Sequence, residues 1–240
     1  MTLRVTVLGC DGGYPGPGGA TSGYLVEGAG TRLWVDAGSG TLAALQARLD
    51  LADLDAVVVS HEHPDHRGDL EGLAVALAFD LERRDLPVYA PGDLRRVVYH
   101  DFPGVFSWRA VADGDALAVG GLSLSFSRTD HGPETLAVRV EGEGRTLAYS
   151  ADTGPGWSLE ALGPGIDLAL CEATWLADRE GRAQHLSARQ AGTMAREAGV
   201  GRLVLTHRWP SVSPGAVEEE GAAAYGQAVE LAAVGAAWDP

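Results

Sequence analysis

At 240 residues, 25.0 kDa and 45% hydrophobic residues, the chain is long enough for one large core and too apolar for a disordered polymer. A net charge of −15 disfavours long-range attraction to nucleic acid or an anionic membrane, although a local cationic site can still capture an anion. All eighteen basic residues are Arg, which removes Schiff-base chemistry and the P-loop lysine.

The opening stretch, MTLRVTVLGC, reads as a strand over Leu3 to Leu8 rather than a signal segment, and no apolar run reaches the length of a membrane span. A soluble, cytoplasmic protein is expected. Cys10 and Cys171 are the only thiols, too few for a disulfide framework, and read as small buried residues rather than ligands. The Gly- and Pro-dense segment Cys10 to Gly19 lacks GxGxxG spacing and leads into a strand. It reads equally as a flap beside a site or as a long turn. Strands at Tyr24 to Glu27 and Leu33 to Val35 precede a helix on which Leu42, Leu45 and Leu49 share a face, and a buried strand follows at Ala56 to Val59.

That strand runs into His61-Glu62-His63-Pro64-Asp65-His66, three imidazoles and a carboxylate in six residues. Side chains two apart on an extended chain point the same way, so His61 and His63 project together. Pro64 ends the strand and starts a new element, placing Asp65 and His66 at or just before a helix N-terminus. Two ligand pairs approaching from different directions suit two metals better than one, since paired ions lie roughly 3.5–4 Å apart and need separate ligand sets. The set is nitrogen and oxygen only, which zinc accepts.

Beyond the motif, Leu70, Leu73, Ala74, Leu77 and Leu81 recur at helical spacing. A strand at Pro87 to Ala90, a helix at Gly92 to Tyr99 and a loop at Pro103 to Ala112 follow. Strands are predicted at Leu122 to Ser127, Thr135 to Val140 and Arg145 to Tyr149, with Gly142 and Gly144 marking a hairpin. Strands at Asp167 to Leu170 and Leu203 to Leu205 flank a helix from Ala188 to Ala198, for which Ser187 and Gln190 fit a capping box and Gly199 the stop. A last helix spans Ala216 to Val234. With no internal repeat or linker, these elements predict a single α/β domain over residues 1–240, built as a four-layer αβ/βα sandwich.

Four later strands each end in a residue able to bind metal or move a proton: His131, Asp152, Glu172 and His207. In α/β sheets ligands gather at one set of strand ends, so these groups are positioned to converge. His131 and His207 would complete the two ligand sets and Asp152 could bridge them. His100, outside any motif, reads as structural or surface. Arg208 reads either as an anion contact or as a surface residue. Trp108, Trp157, Trp175 and Trp209 read as pocket or interface residues or, as aromatics more often are, as core.

The H-x-H-x-D-H pattern from His61 to His66 resembles that of the metallo-β-lactamase superfamily. The segments TDH ending at His131, YSADTG around Asp152, CEAT at Glu172, HLSARQAG from His185 and LVLTH ending at His207 resemble its ribonuclease Z branch. The resemblance implies the metallo-β-lactamase fold and two Zn2+ ions, with Mn2+ or Fe as alternatives. His61, His63 and His131 would hold one ion, Asp65, His66 and His207 the other, with Asp152 bridging and a water or hydroxide between the metals as nucleophile. Within this scheme Asp65 is the candidate to orient that nucleophile; His185, beside the N-terminus of the capped helix, reads either as the proton donor to the leaving group or as an exposed turn histidine, and Glu172 either as the group that orients its ring or as a structural acid. Ribonuclease Z proteins that cut transfer RNA generally carry a long arm between the segments matching His131 and Asp152, which here lie only 21 positions apart. The expected substrate is therefore a small anionic phosphodiester or cyclic phosphate rather than transfer RNA, with no membrane partner. A thioesterase or lactone hydrolase using the same metals, and an iron-dependent oxidoreductase, remain as alternatives, and the oligomeric state, a homodimer included, is open.

Overall fold

The structure, a computed structural model, describes residues 2–240. In chain order its strands are β1 (Arg4–Gly9), β2 (Gly23–Gly28), β3 (Thr31–Val35), β4 (Ala56–Val58), β5 (Leu86–Ala90), β6 (Phe106–Ala110), β7 (Ala116–Val119), β8 (Leu122–Arg128), β9 (Leu136–Gly142), β10 (Arg145–Tyr149), β11 (Leu168–Glu172), β12 (Arg202–Thr206), β13 (Glu230–Leu231) and β14 (Ala237–Trp238). The helices are α1 (Thr41–Gln46), α2 (Pro64–Arg67), α3 (Leu70–Phe79), α4 (Ala188–Glu197) and α5 (Pro214–Tyr225). Two seven-stranded sheets result, ordered β14-β1-β2-β3-β4-β5-β6 and β13-β12-β11-β10-β9-β8-β7.

Period-2 alternation explains the layering. On β3, Leu33 and Val35 face the space between the sheets while Trp34 faces outward; on β11, Leu168 and Leu170 face inward and Ala169 and Cys171 outward. The inner faces of both sheets share one core, from Val5, Val7 and Tyr24 to Phe126, Val138 and Tyr149. The outer face of the first sheet is covered by Leu45 of α1 and by Leu70, Leu73 and Leu77 of α3. Ala191, Met194 and Ala195 of α4 and Val217 of α5 cover the second. This is the expected αβ/βα sandwich. Strands with both faces covered read as continuous apolar runs, the reason β4, β11 and β12 were legible.

The parallel pairings decide where the site lies. β3 runs parallel to β4, and β10 parallel to β11 and β11 to β12, so their C-terminal ends share an edge within each sheet. Two tyrosines join the sheets there: Tyr24 Oη lies 2.6 Å from Thr206 Oγ1, and Tyr149 Oη donates to Asp36 Oδ2 at 2.7 Å.

Several expectations need correction. The final helix stops at Tyr225, because Gly226 takes the left-handed conformation (φ 83°), and the chain continues into β13 instead of reaching Val234. Gly92 to Tyr99 holds only a 3₁₀ turn, Leu94–Val97, in which Leu94 alone is buried. The segment Pro103 to Ala112, read as a loop, contains edge strand β6, whose exposed Arg109 and Ala110 mask the alternation. Edge strand β7 and the two-residue strands β13 and β14 also escaped, being too short for a periodic signal. α3 ends at Phe79, leaving Leu81 outside the helix and exposed. The capping box of α4 is present, with Ser187 and Gln190 each bonding the other's backbone. Among the described residues no helix is long and apolar enough to cross a membrane.

α4 and α5 touch through glycines. A Cβ on Gly192 would lie 2.4 Å from the Gly221 carbonyl oxygen and 3.0 Å from the Tyr225 nitrogen, both backbone atoms. Gly192→Ala should therefore force the helices apart and cost about 1–3 kcal/mol, read as a lower urea midpoint at unchanged m-value.

Candidate metal centre

Each side chain of the centre arrives from a strand exit or from the short helix behind Pro64. β3 delivers Asp36, β4 leads to His61 and His63, α2 carries Asp65 and His66, and β8, β10 and β12 lead to His131, Asp152 and His207. β4 ends at Val58, so His61 and His63 meet across a loop and not along a strand as the alternation argument assumed. Asp36, Ala151 and His207 take positive φ angles of 56°, 51° and 55°. Left-handed backbone is unfavourable for non-glycine residues and is tolerated where the surroundings fix it, as at three exits that turn side chains inward.

All seven expected ligands converge. Ligand atoms of His61, His63, His131 and Asp152 lie within 4.8 Å of one another, and so do those of Asp65, His66 and His207. Asp152 faces both groups. Its Oδ2 is 3.6 Å from His61 Nε2 and 3.9 Å from His131 Nε2; its Oδ1 is 3.2 Å from His66 Nε2 and 3.3 Å from His207 Nε2. Asp65 Oδ2 lies 3.2 Å from His207 Nε2 and accepts a 2.8 Å hydrogen bond from the Gly13 amide.

The outer nitrogens fix what the inner ones can do. Asp36 is fully buried and accepts from the Ser60 amide, the Ser60 hydroxyl and the Tyr149 hydroxyl; its Oδ2 is 2.7 Å from His66 Nδ1, which must therefore be the donor. With the Ser60 hydrogen directed to Asp36, His61 Nδ1 donates to Ser60 Oγ at 3.0 Å. His131 Nδ1 donates to the Gln184 carbonyl at 2.9 Å. Thr174 gives its hydrogen to Glu172 and receives one from His207 Nδ1 at 2.8 Å. Each of these four rings, when neutral, then turns an Nε2 lone pair inward.

Inward lone pairs need a positive partner. His66 Nε2 and His207 Nε2 stand 3.3 Å apart, and with these rings neutral the buried Asp152 Oδ1 has no hydrogen-bond donor among the described residues. That donor set fits a divalent cation. The protonation tendencies agree. Burial opposes charge on Asp65 and Asp152, but the neighbouring His207 and His66 hold both carboxyls well below the usual range. Burial and the charge of His66 keep His61 neutral, and burial and His131 lower His63 as well. Burial also disfavours charge on His66, yet Asp152 and Asp36 raise it well above the ordinary value. A proton on that ring occupies the place a cation would take.

His185 and Glu172 lie at the same edge. His185 Nδ1 is 3.1 Å from Glu172 Oε1 and 4.0 Å from Asp152 Oδ2, and its ring stacks on His207 at 5.4 Å between centroids. With Asp152 and His207, His185 forms a third potential metal-holding group. Burial lowers the His185 pKa, but the charge and hydrogen bond of Glu172 more than offset this and bring it to about 9. Glu172 is fully buried and also accepts from the Thr153 and Leu186 amides and the Thr174 hydroxyl. It holds His185 and Thr174 in place and has no surface to offer a substrate.

The remaining expectations divide. His100 is exposed and bonds Glu71. The Arg208 guanidinium bonds the carbonyls of Trp209, Pro210 and Val212, folding its own turn. Trp157 is buried against Ser127 and Trp108 bonds Asp101, whereas Trp175 and Trp209 flank the centre. Cys171 is buried and Cys10 bonds the Ala232 carbonyl, each outside the groups that could hold metal. The sequence reading missed Asp36, Ser60, Tyr149 and Thr174. Asp36 was recoverable, since it too follows an apolar strand.

Comparison with known proteins agrees with this architecture. A family model described as a beta-lactamase superfamily domain matches residues 31–208. The probable metallo-hydrolase YhfI of Bacillus subtilis is 33% identical over 211 residues, covering 85% of this chain and 86% of its own. Its crystal structure, described as a metallo-beta-lactamase fold protein, covers 99% of this chain and 100% of its own at 30% identity and a TM-score of 0.91. The uncharacterized protein Rv1339 of Mycobacterium tuberculosis is 35% identical over 228 residues, 89% of this chain and 83% of that one. A ribonuclease Z of Mycobacterium bovis is 29% identical over 252 residues, 90% of each. Through its matched domain, its relatives and its layered fold, the chain belongs to the metallo-β-lactamase superfamily and is related to ribonuclease Z.

Proposed function

We propose that this protein is a dinuclear zinc hydrolase acting on a small phosphodiester or cyclic phosphate. The observation that carries the reading is Asp152, whose two oxygens face two separate ligand groups while His185, paired with Glu172, stands beside them. His61, His63 and His131 would hold one ion and Asp65, His66 and His207 the other. When bound, the ions supply Lewis-acid polarisation of the phosphoryl group and a lower pKa for water.

The chain's own groups do the rest. Asp65, anionic and fixed by the Gly13 amide, orients the attacking water by accepting its hydrogen bond. Glu172 holds His185 at Nδ1, leaving the proton on Nε2 for the departing alkoxide oxygen. A pKa raised to about 9 keeps that proton in place at neutral pH. The names of the relatives support this reading, one being a probable metallo-hydrolase and another a ribonuclease. A small substrate is supported by the chain between His131 and Asp152, where the β9–β10 hairpin turns through Glu143 and Gly144 and no arm protrudes. The charge of −15 likewise argues against transfer RNA.

Chelation should abolish turnover of bis(p-nitrophenyl) phosphate, and zinc should restore it; activity that survives complete metal removal overturns the proposal. Elemental analysis finding iron, accompanied by oxygen consumption, would point instead to redox chemistry. Asp152→Ala should lose metal and rate together, by more than the about 10–100-fold typical of a group that only orients a ligand.

Asp36→Asn, which removes such an orienting group, should weaken metal affinity by about 10–100-fold in a competitive chelator titration. His185→Asn should lower kcat by about 10²–10⁴-fold with metal content retained. Since the charge of Glu172 raises the His185 pKa, Glu172→Gln should move the alkaline limb of the kcat–pH profile to lower pH.

A further inference from the structure

A line of aromatic rings leads outward from the centre. Trp175 lies 6.5 Å from His185, Trp209 lies 4.4 Å from Trp175, and Tyr14 lies 5.9 Å from Trp209, measured between ring centroids. Exposure rises along it: Trp175 is 6% exposed, Trp209 is half-buried and Tyr14 is 47% exposed. The guanidinium of exposed Arg179 sits 5.5 Å from the Trp175 ring. The indole N–H of Trp175, though buried, has no acceptor among the described residues.

The two outer rings sit on anchored backbone. The loop carrying Tyr14 is held by amide bonds from Gly12 to the Arg208 carbonyl, from Gly13 to Asp65 and from Gly16 to the Asp11 carboxylate. The turn carrying Trp209 is folded around Arg208. Gly13 has φ 72°, and a Cβ there would already approach Trp209 Nε1 to 3.2 Å, so glycine allows loop and indole to lie together. Rings fixed in advance lose little conformational freedom when a ligand arrives.

We propose that Tyr14 and Trp209, backed by Trp175 and Arg179, form a subsite for a planar heteroaromatic group on the substrate: the base of a nucleoside phosphodiester. The proposal rests on the phosphodiesterase reading and names its substrate class. Flat faces with polar edges suit a nucleobase, which stacks and hydrogen-bonds, better than an aliphatic chain, which needs an enclosed apolar cavity. An arginine beside the rings suits an anionic ligand. The shelf begins next to His185, the proposed proton donor, so a base stacked there keeps its own phosphate within reach of the centre.

The test compares adenosine 2′,3′-cyclic phosphate with glycerol 1,2-cyclic phosphate, which lacks a ring, and adds adenosine 5′-monophosphate binding followed by tryptophan fluorescence. The wild-type protein should prefer the adenosine substrate through a lower KM. Trp209→Ala and Tyr14→Ala should each reduce the adenosine-to-glycerol ratio of kcat/KM at least about fivefold, the lower bound for base–aromatic stacking, and Trp209→Phe should retain most of it. Equal wild-type efficiency on both substrates, or an unchanged ratio in both alanine variants, overturns the subsite while leaving the hydrolase reading intact. If neither cyclic phosphate is turned over but adenosine monophosphate binds and Trp209→Ala abolishes that binding, the subsite stands and the phosphodiesterase reading falls. If adenosine monophosphate does not bind, the subsite is refuted.

Discussion

The fixed direction of four imidazole rings is the constraint on which the rest of the molecule depends. His61, His66, His131 and His207 each bond a protein acceptor on the outer side, through the buried Ser60, Asp36 and Thr174 and the carbonyl of Gln184. A free imidazole in a polar pocket can swap tautomers and satisfy its neighbours with its own hydrogens. These cannot, so each ring, when neutral, has its inner nitrogen already aimed as a ligand, and on His66 a proton holds that place until an ion displaces it. Asp36 is the pivot of that arrangement, because it takes hydrogens from Ser60 and Tyr149 as well as from His66 and thereby sets the tautomers of two rings.

Packing supplies the rigidity this requires. The shared core between the sheets and the two tyrosine bonds across it hold the strand exits in register. Left-handed backbone at Asp36, Ala151 and His207 is tolerated there, since each residue lies within two positions of the end of a buried strand. Acidic surface charge and a cation-seeking interior coexist because the first concerns exposed groups in solvent and the second a buried donor set.

What could be read in advance follows a physical boundary. Strands β4, β11 and β12 were visible because burial on both faces writes a continuous apolar run, and α4 because Ser187 and Gln190 close a reciprocal cap. All seven expected ligands follow such legible elements or the Pro64 break. Edge strand β6 was not visible because its exposed Arg109 and Ala110 mask the alternation, β7 because four residues are too few to show a period, and the end of α5 was misplaced because Gly226 resembles many glycines that do not end helices. Asp36 could have been found by the strand-end rule that found Asp152. Thr174 could not, since a threonine bonded to both a histidine and a glutamate has no signature in linear order. The outward line from His185 to Tyr14 was equally hidden, as its rings come from three distant segments.

The division of donors between the two sheets has a thermodynamic corollary. His66 belongs to the N-terminal half and His207 to the C-terminal half, separated by 141 positions. An ion gripped by both would tie the halves as a covalent staple does, closing a very long loop whose entropy the unstapled chain would otherwise recover on unfolding. Neither half could retain such an ion by itself, so loss of the cation and separation of the sheets would be linked equilibria.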